Sequence, residues 1–317
     1  MFTPEVKSQP NEDISILVRK ENHSWNYICE CGDASGLTLK ECQNTRGIFL
    51  SHTHIDHFVN FDNIFRHQLG TERTIIVCGP KGIAEQVQCR IKSYTWNLIQ
   101  EGSVAYELRE IISEEQIKRY RILPPSWELE PLEDISGNKI LEDKDFYVEF
   151  TILDHKTPSI AYRFKEQDTV KINMKDAPFK GGKWVRELKE AYESGNDALP
   201  IEIQGETHLS GDLFSLLEIK IGDSLGIIMD HAATLENHSK IKALFEDCRK
   251  VYIECFYKAG DKAFAEANFH SYSTESGKIM QACQVKEAIP VHFSRKYDEN
   301  DLEQILTEFN EAYQGTS

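Results

Sequence analysis

Short apolar runs that stop at a polar residue recur along this chain. Gly47-Ile48-Phe49-Leu50-Ser51 ends at His52, and the run from Tyr147 to Leu153 ends at Asp154-His155. Leu225-Gly226-Ile227-Ile228-Met229 ends at Asp230, Val251-Tyr252-Ile253 at Glu254, and Ala288-Ile289-Pro290-Val291 at His292. Runs of this length, rich in β-branched residues, predict buried strands. Helical periodicity occupies residues 81–100, 239–246, 274–285 and 301–313. Strands followed by helices predict an α/β architecture in which helices cover the sheets. Ligands in such folds gather at the carboxyl ends of strands. Here five strand ends deliver His52, His155, Asp230, Glu254 and His292, which predicts one shared polar site.

The chain has 317 residues, 40% of them hydrophobic, enough for a large core. No repeat or Pro/Gly/Ser-rich linker divides it, so a single domain over residues 1–317 is expected. No run of about 18 apolar residues indicates a membrane span. The first residues have neither the basic start nor the apolar stretch of a signal peptide, which predicts a cytoplasmic protein without membrane partners. The eight cysteines are scattered and sit mostly in apolar stretches, as reduced, buried small hydrophobes do. Cys29-x-Cys31 is the one close pair, and no second pair stands at metal spacing. Acidic residues outnumber basic ones by 52 to 36, a net charge of −16. That argues against a general nucleic-acid binder, because a phosphate backbone rewards clustered Lys and Arg. Residues 163–189 run the other way, with eight basic side chains, Lys175 among them, against four acidic ones. By itself this stretch reads as a solvated face.

The densest chemistry is Ser51-His52-Thr53-His54-Ile55-Asp56-His57. In extended backbone, residues two apart point the same way, so His52 and His54 can grip one ion. Asp56 and His57, beyond a turn, can face a second ion nearby. Imidazole and carboxylate donors suit zinc, and also manganese or iron. His23, His67, His208 and His238 have no motif around them and read as surface residues. His231, next to Asp230, fits a group supporting the ligands or an ordinary loop position equally well.

The H-x-H-x-D-H pattern resembles the signature of the metallo-β-lactamase superfamily. That resemblance implies a four-layer αββα sandwich holding two divalent metal ions, zinc first among the candidates. It implies His52, His54 and His155 on one ion, Asp56, His57 and His292 on the other, and Asp230 bridging them. Within the superfamily the chain looks most like ribonuclease Z, the tRNA 3′-processing endonuclease. The stretch from Asp154 to Phe164 resembles the family's histidine followed by G-Y-R-[IF], with Ala161 in the Gly position. Ile253-Glu254-Cys255-Phe256 resembles H-E-A-T-F, the segment from Phe269 to Thr274 resembles the H-S-T opening of a helix, and that from Val291 to Tyr297 resembles H-[FI]-S-x-R-Y.

The resemblance implies hydrolysis of phosphodiester bonds in RNA, with Asp56 orienting the attacking water. His270, held by Glu254, would stabilise the phosphorane or protonate the leaving oxygen. It also implies a homodimer and a substrate arm at about residues 165–190, whose Lys180, Lys183, Trp184 and Arg186 would grip the RNA backbone. The family's glycine- and threonine-rich start and P-x-K-x-R-N-like loop do not precede Cys31-Gly32-Asp33. Residues 101–145 read as an acidic insertion near the mouth, which would repel a long polyanion and tolerate a small one. A cyclic mono- or dinucleotide is therefore the alternative substrate. A lactonase or thioesterase, or a non-catalytic metal-binding protein, is the reading from other classes.

Overall fold

The computed structural model describes residues 1–173 and 177–316. Lys175 lies outside the described residues. The chain forms two compact units, Met1–Lys165 with Ser224–Ser317, and Glu166–Asp223.

The larger unit is built on two sheets. The first runs in chain order through β1 (Phe2–Val6), β2 (Ile16–Lys20), β3 (Asn26–Cys29), β4 (Thr45–Phe49), β5 (Thr74–Pro80), β6 (Ala105–Ser113), β7 (Gln116–Ile122) and β8 (Glu130–Ser136). The chain then enters the second sheet with β9 (Lys139–Glu142), β10 (Phe146–Asp154) and β11 (Pro158–Glu166). Residues 101–145, expected as an acidic insertion, thus supply strands β6 to β9 of the two sheets. Tyr106 and Leu108 of β6 alternate with half-buried neighbours and face the helices, while Ile117 of β7 enters the core between the sheets, so these strands are needed by the core.

The smaller unit contributes two antiparallel pairs, β12 (Thr169–Ile172) with β15 (Leu217–Lys220) and the hairpin of β13 (Pro200–Ile203) with β14 (Glu206–Leu209). It also holds the helix Trp184–Glu193. Its core joins Trp184, Leu188, Ile201, Ile203 and Leu213. The second sheet resumes with β16 (Ser224–Ile228), β17 (Lys250–Glu254) and β18 (Glu287–Val291), in the order β18-β17-β16-β11-β10-β9.

Period-two alternation decides how the layers stack. Val18, Tyr27 and Phe49 of the first sheet pack with Phe146, Tyr162, Phe164 and Ile227 of the second, so this cluster lies between the sheets. Their neighbours Leu17, Ile28 and Ile48 face the other way, onto Ile64, Phe65, Ile83 and Val87 of the helices Phe61–Gln68 and Ile83–Lys92. On the far side, Ile228, Val251 and Ile253 meet the helices Leu235–Phe245, Ser273–Ala282 and Glu299–Gln314. The result is the αββα sandwich. Each large apolar side chain so enclosed contributes roughly 1.5–3 kcal/mol of burial.

The expected strands lie within a residue or two of their observed bounds; the helices differ more. The pattern over residues 81–100 yields a helix only over Ile83–Lys92, because Trp96 folds back to pack on Phe65 and Trp127. The helix expected at residues 239–246 starts earlier, at Leu235, where the Thr234 hydroxyl accepts the Asn237 amide as an N-cap. Among the described residues no helix is long and apolar enough to cross a membrane.

Candidate metal centre

The seven expected ligand side chains come from the carboxyl ends of strands in both sheets. After β4 the chain leaves the sheet through Leu50 and Ser51 and presents His52 and His54 in extended backbone. His54 then serves as the N-cap residue of the one-turn helix Ile55–Phe58, and that turn rotates Asp56 and His57 round to a second position. His155 follows β10, Asp230 follows β16, and His292 follows β18.

These residues fall into two sets around Asp230. Its Oδ2 lies 3.4 Å from His155 Nε2 and 3.7 Å from His52 Nε2. Its Oδ1 lies 3.4 Å from His57 Nε2 and 2.9 Å from His292 Nε2. Asp56 Oδ2 is 3.6 Å from His57 Nε2 and 3.8 Å from His292 Nε2. The His54 ring sits 4.4 Å from that of His52 and 5.2 Å from that of His155. One oxygen of a single carboxylate thus serves each set. Ligand atoms of His52, His54, His155 and Asp230 lie within 4.8 Å of one another, as do those of Asp56, His57 and His292.

The hydrogen-bond account shows that this donor set fits cations. The Nε2 atoms of His52, His57 and His292 and Oδ1 of Asp230 are buried and make no hydrogen bond. Buried polar atoms nearly always have partners. Four orphans converging on two points are what a pair of divalent ions would satisfy. Burial alone would raise the Asp230 carboxyl, but the His292 and His57 imidazoles outweigh it and hold the pKa well below the usual carboxylate range. Burial, followed by the neighbouring imidazole of His57, drives His52 down, so it stands as a neutral ligand.

The opposite ring nitrogens are tied down by groups the sequence reading did not single out. His57 Nδ1–H donates to Glu30 Oε2 at 3.0 Å, and the other Glu30 oxygen accepts the Ser51 amide at 2.9 Å. Glu30 is fully buried. His155 Nδ1–H donates to the Phe269 carbonyl at 2.6 Å, and His52 Nδ1 is hydrogen-bonded to Ser51 Oγ at 3.0 Å. Such partners fix ring orientation and ligand basicity. The buried Asn237 amide clamps the backbone of Asp154, and Ala232 N–H donates to the Asp154 carbonyl, joining the His155 and Asp230 loops. Gly32 brings the β3 exit against the motif. A Cβ there would stand 2.4 Å from the Ile14 carbonyl oxygen and 2.6 Å from that of Asp56. Glu30 did carry a signal, since it too is a charged residue ending an apolar run, Tyr27-Ile28-Cys29.

Beside the cluster, His270 Nδ1–H donates to Glu254 Oε1 in a short contact. The second Glu254 oxygen accepts the backbone amides of His231 and Ser271. Glu254 is fully buried, and His270 is stacked on Phe256 with ring centroids 4.0 Å apart. Burial disfavours the His270 imidazolium, but Glu254 outweighs it and raises the pKa above the ordinary value. Burial likewise opposes the Glu254 carboxylate, and His270 overcomes it, taking Glu254 to about 2. His231 is buried, its Nδ1–H donating to the Met229 carbonyl at 2.8 Å; it braces Glu254 through its backbone.

Cys29 and Cys31 point to opposite faces of the first sheet, one into the inter-sheet core and one toward the helices, so they do not form a site. Trp184 corrects an expectation. It is 3% exposed, and its Nε1–H donates to the Lys180 carbonyl, so the ring is a core group and offers no stacking surface. Lys180, Lys183 and Arg186 are exposed, with Lys183 and Arg186 in i,i+4 pairs with Glu187 and Glu190. The unit that carries them has seven basic residues against twelve acidic ones.

No family model matches the chain. It is 24% identical over 318 residues to ribonuclease Z of Deinococcus radiodurans, covering 96% of this chain and 94% of that protein. Among solved structures it is similar to the metallo-beta-lactamase fold protein YhfI from Bacillus subtilis, with a TM-score of 0.58 at 12% identity over 99% and 93% of the two chains. It matches human tRNase Z, short form, equally well, with a TM-score of 0.58 at 14% identity over 94% of each chain. The fold is that of the metallo-β-lactamase superfamily, and the sequence is ribonuclease Z-like along nearly its whole length.

Proposed function

We propose that this chain is a dinuclear metal-dependent phosphodiesterase of the ribonuclease Z type, cleaving phosphodiester bonds in RNA and processing tRNA 3′ ends. The carrying observation is the pair of ligand sets sharing Asp230, with the His270–Glu254 pair beside it. His52, His54 and His155 would hold one ion, Asp56, His57 and His292 the other, and Asp230 both. Zinc suits these donors best, with manganese or iron as substitutes. Two divalent ions in such a site supply an ionised water and charge neutralisation on the phosphate.

The chain's own groups do the rest. Asp56, a third exposed, accepts a hydrogen bond from the attacking water and orients it. Glu254 favours the protonated form of His270, which gives its proton to the leaving oxygen as the P–O bond breaks. Lys180, Lys183 and Arg186 are the candidate contacts to an RNA backbone. A cytoplasmic homodimer completes this reading.

One observation favours the second substrate class, a cyclic mono- or dinucleotide. The supposed arm belongs to a unit with more acidic than basic residues, and the whole chain carries −16. Such a surface grips a long polyanion poorly. The test is a parallel assay of the zinc- or manganese-loaded protein on a precursor tRNA with a 3′ trailer and on a panel of cyclic nucleotides. Trailer removal that His54→Ala abolishes is the expected result. Turnover of cyclic nucleotides alone moves the assignment to the small substrate, and silence on both defeats it.

A further inference from the structure

Directly after the ligand His155 stands Lys156, in a backbone conformation that lysine seldom adopts. Its φ is 60°, in the left-handed region. Among the described residues ten non-glycine residues have positive φ, and four of them, Glu30, Lys156, Phe269 and His292, belong to the centre or adjoin it. Such conformations persist only where their surroundings over-determine them, and they gather at functional sites. Asp154 Oδ1 accepts the Lys156 amide at 2.9 Å, and His155 N–H donates to the Thr157 carbonyl at 3.0 Å. Phe269, itself at φ 59°, takes the His155 Nδ1–H on its carbonyl and meets the Lys156 side chain with its ring, 6.0 Å from Nζ. The next residue is His270, whose ring lies 4.6 Å from that of His155. The Lys156 turn therefore flanks the centre on its His270 side.

This turn delivers an uncommitted cation. Lys156 is exposed, and among the described residues it has no ion pair. The cations that follow the neighbouring strands β17 and β18 are already engaged: Lys258 pairs with Asp301, Lys262 with Glu266, Arg295 with Asp13 and Lys296 with Asp261. Asp154, the carboxylate of the same turn, is directed onto the Lys156 backbone amide. A ring contact of 6.0 Å is at the outer limit of cation–π attraction, so Phe269 steers the ammonium without neutralising it. A compact, hydrated ammonium of this kind suits a phosphate oxygen. His155 and His270 fill the space beside Asp230, with Phe269 next outward, so the ammonium stands one layer beyond the reacting phosphate. The phosphate it can meet is the neighbouring one.

We propose that Lys156 is a specificity-determining residue that binds the phosphate one nucleotide from the scissile bond, on the side of the leaving oxygen that His270 protonates. This rests on the phosphodiesterase reading and deepens it. An internal RNA linkage and a cyclic dinucleotide carry such a second phosphate, and a cyclic mononucleotide does not. The test compares adenylyl-adenosine with the same dinucleotide phosphorylated at its 5′ or its 3′ end. Calorimetry on the zinc-loaded His270→Ala protein reads affinity without turnover, and one of the two terminal phosphates should tighten binding about fivefold or more. Lys156→Asn, chosen because asparagine tolerates the left-handed backbone, should bring that ratio to within about twofold of one, and Lys156→Arg should keep it. The same Asn variant should lower the log–log salt slope of the favoured dinucleotide by about one, which a merely structural role would not do. With His270 restored, the favoured phosphate should raise kcat/KM and lie on the fragment released without the cleaved phosphate. No preference in the parent, an equal preference in Lys156→Asn, or a preference for the other fragment overturns the proposal. Silence on every substrate, precursor tRNA included, with the binding preference intact would sink the phosphodiesterase reading and leave Lys156 as a phosphate contact. Turnover without the preference would sink the Lys156 assignment alone. Should Lys156→Asn misfold, Lys156→Gln carries the comparison.

Discussion

Glu30 shows how much of the centre is decided by a side chain outside the ligand set. It is fully buried and touches both His57 Nδ1 and the Ser51 amide, so it aims one ligand and pins the backbone that leads to two others. Replacing it by Gln keeps the volume but removes the charge behind His57. Metal affinity should fall about 10- to 100-fold, as losses of such supporting carboxylates do. Competition titration with a chromophoric chelator measures this, and unchanged affinity would refute the role given to Glu30. His270 stands in contrast. Its Nδ1 is spent on Glu254, and its ring packs on Phe256 and against His155. His270→Ala should leave the bound metal content as it is and lower turnover by about 10²- to 10⁴-fold, the usual worth of a positioned acid. Retained turnover removes it from the mechanism.

Among the elements, the one-turn helix Ile55–Phe58 is what lets a contiguous heptapeptide serve two ions. Extended backbone before it points His52 and His54 one way, and its first turn points Asp56 and His57 another. Tight backbone contact holds this turn down: Cys31 N–H donates to the His57 carbonyl, and Asn60 N–H to that of Cys31. The helix Trp184–Glu193 has a different task. Trp184 fills the centre of the small unit with Leu188, Ile201 and Ile203, and few other large groups are there to replace it. Trp184→Ala should cost that unit about 3–5 kcal/mol. Hydrogen exchange across Glu166–Asp223 should accelerate, while the amides of β4 and β16 keep their protection. Uniform loss of protection in both would show that the units unfold together.

For the whole molecule, the ligands matter because they come from both sheets. His52, His54, Asp56 and His57 follow a strand of the first, while His155, Asp230 and His292 follow strands of the second. Bound ions therefore cross-link the two halves of the sandwich at one end of its shared core. Ligands that bind the folded state alone stabilise it by mass action, by about 4 kcal/mol at a thousandfold excess over Kd. Stripping the metal with a chelator should lower Tm by several degrees, and added zinc should restore it. A melting curve indifferent to chelation would show that the seven side chains hold no ion in solution.

Sequence alone determined the main features of this protein. Hydrophobic period set the strands, their order with the helices set the α/β class, and Ser51-His52-Thr53-His54-Ile55-Asp56-His57 declared its chemistry, because local pattern and local spacing are properties of neighbouring residues. Contacts between residues distant in the chain were decided only by tertiary structure. Glu30 met His57 where β3 pairs with β4, Phe269 met His155, and Asp13 met Arg295 across 282 positions, since strand pairing and the packing of layers bring together residues that no period relates. Trp184 is the reverse case. A Trp among lysines reads as a surface grip, yet the fold needed its ring to fill a small core, and burial of that large apolar area outweighed the polarity of its neighbours.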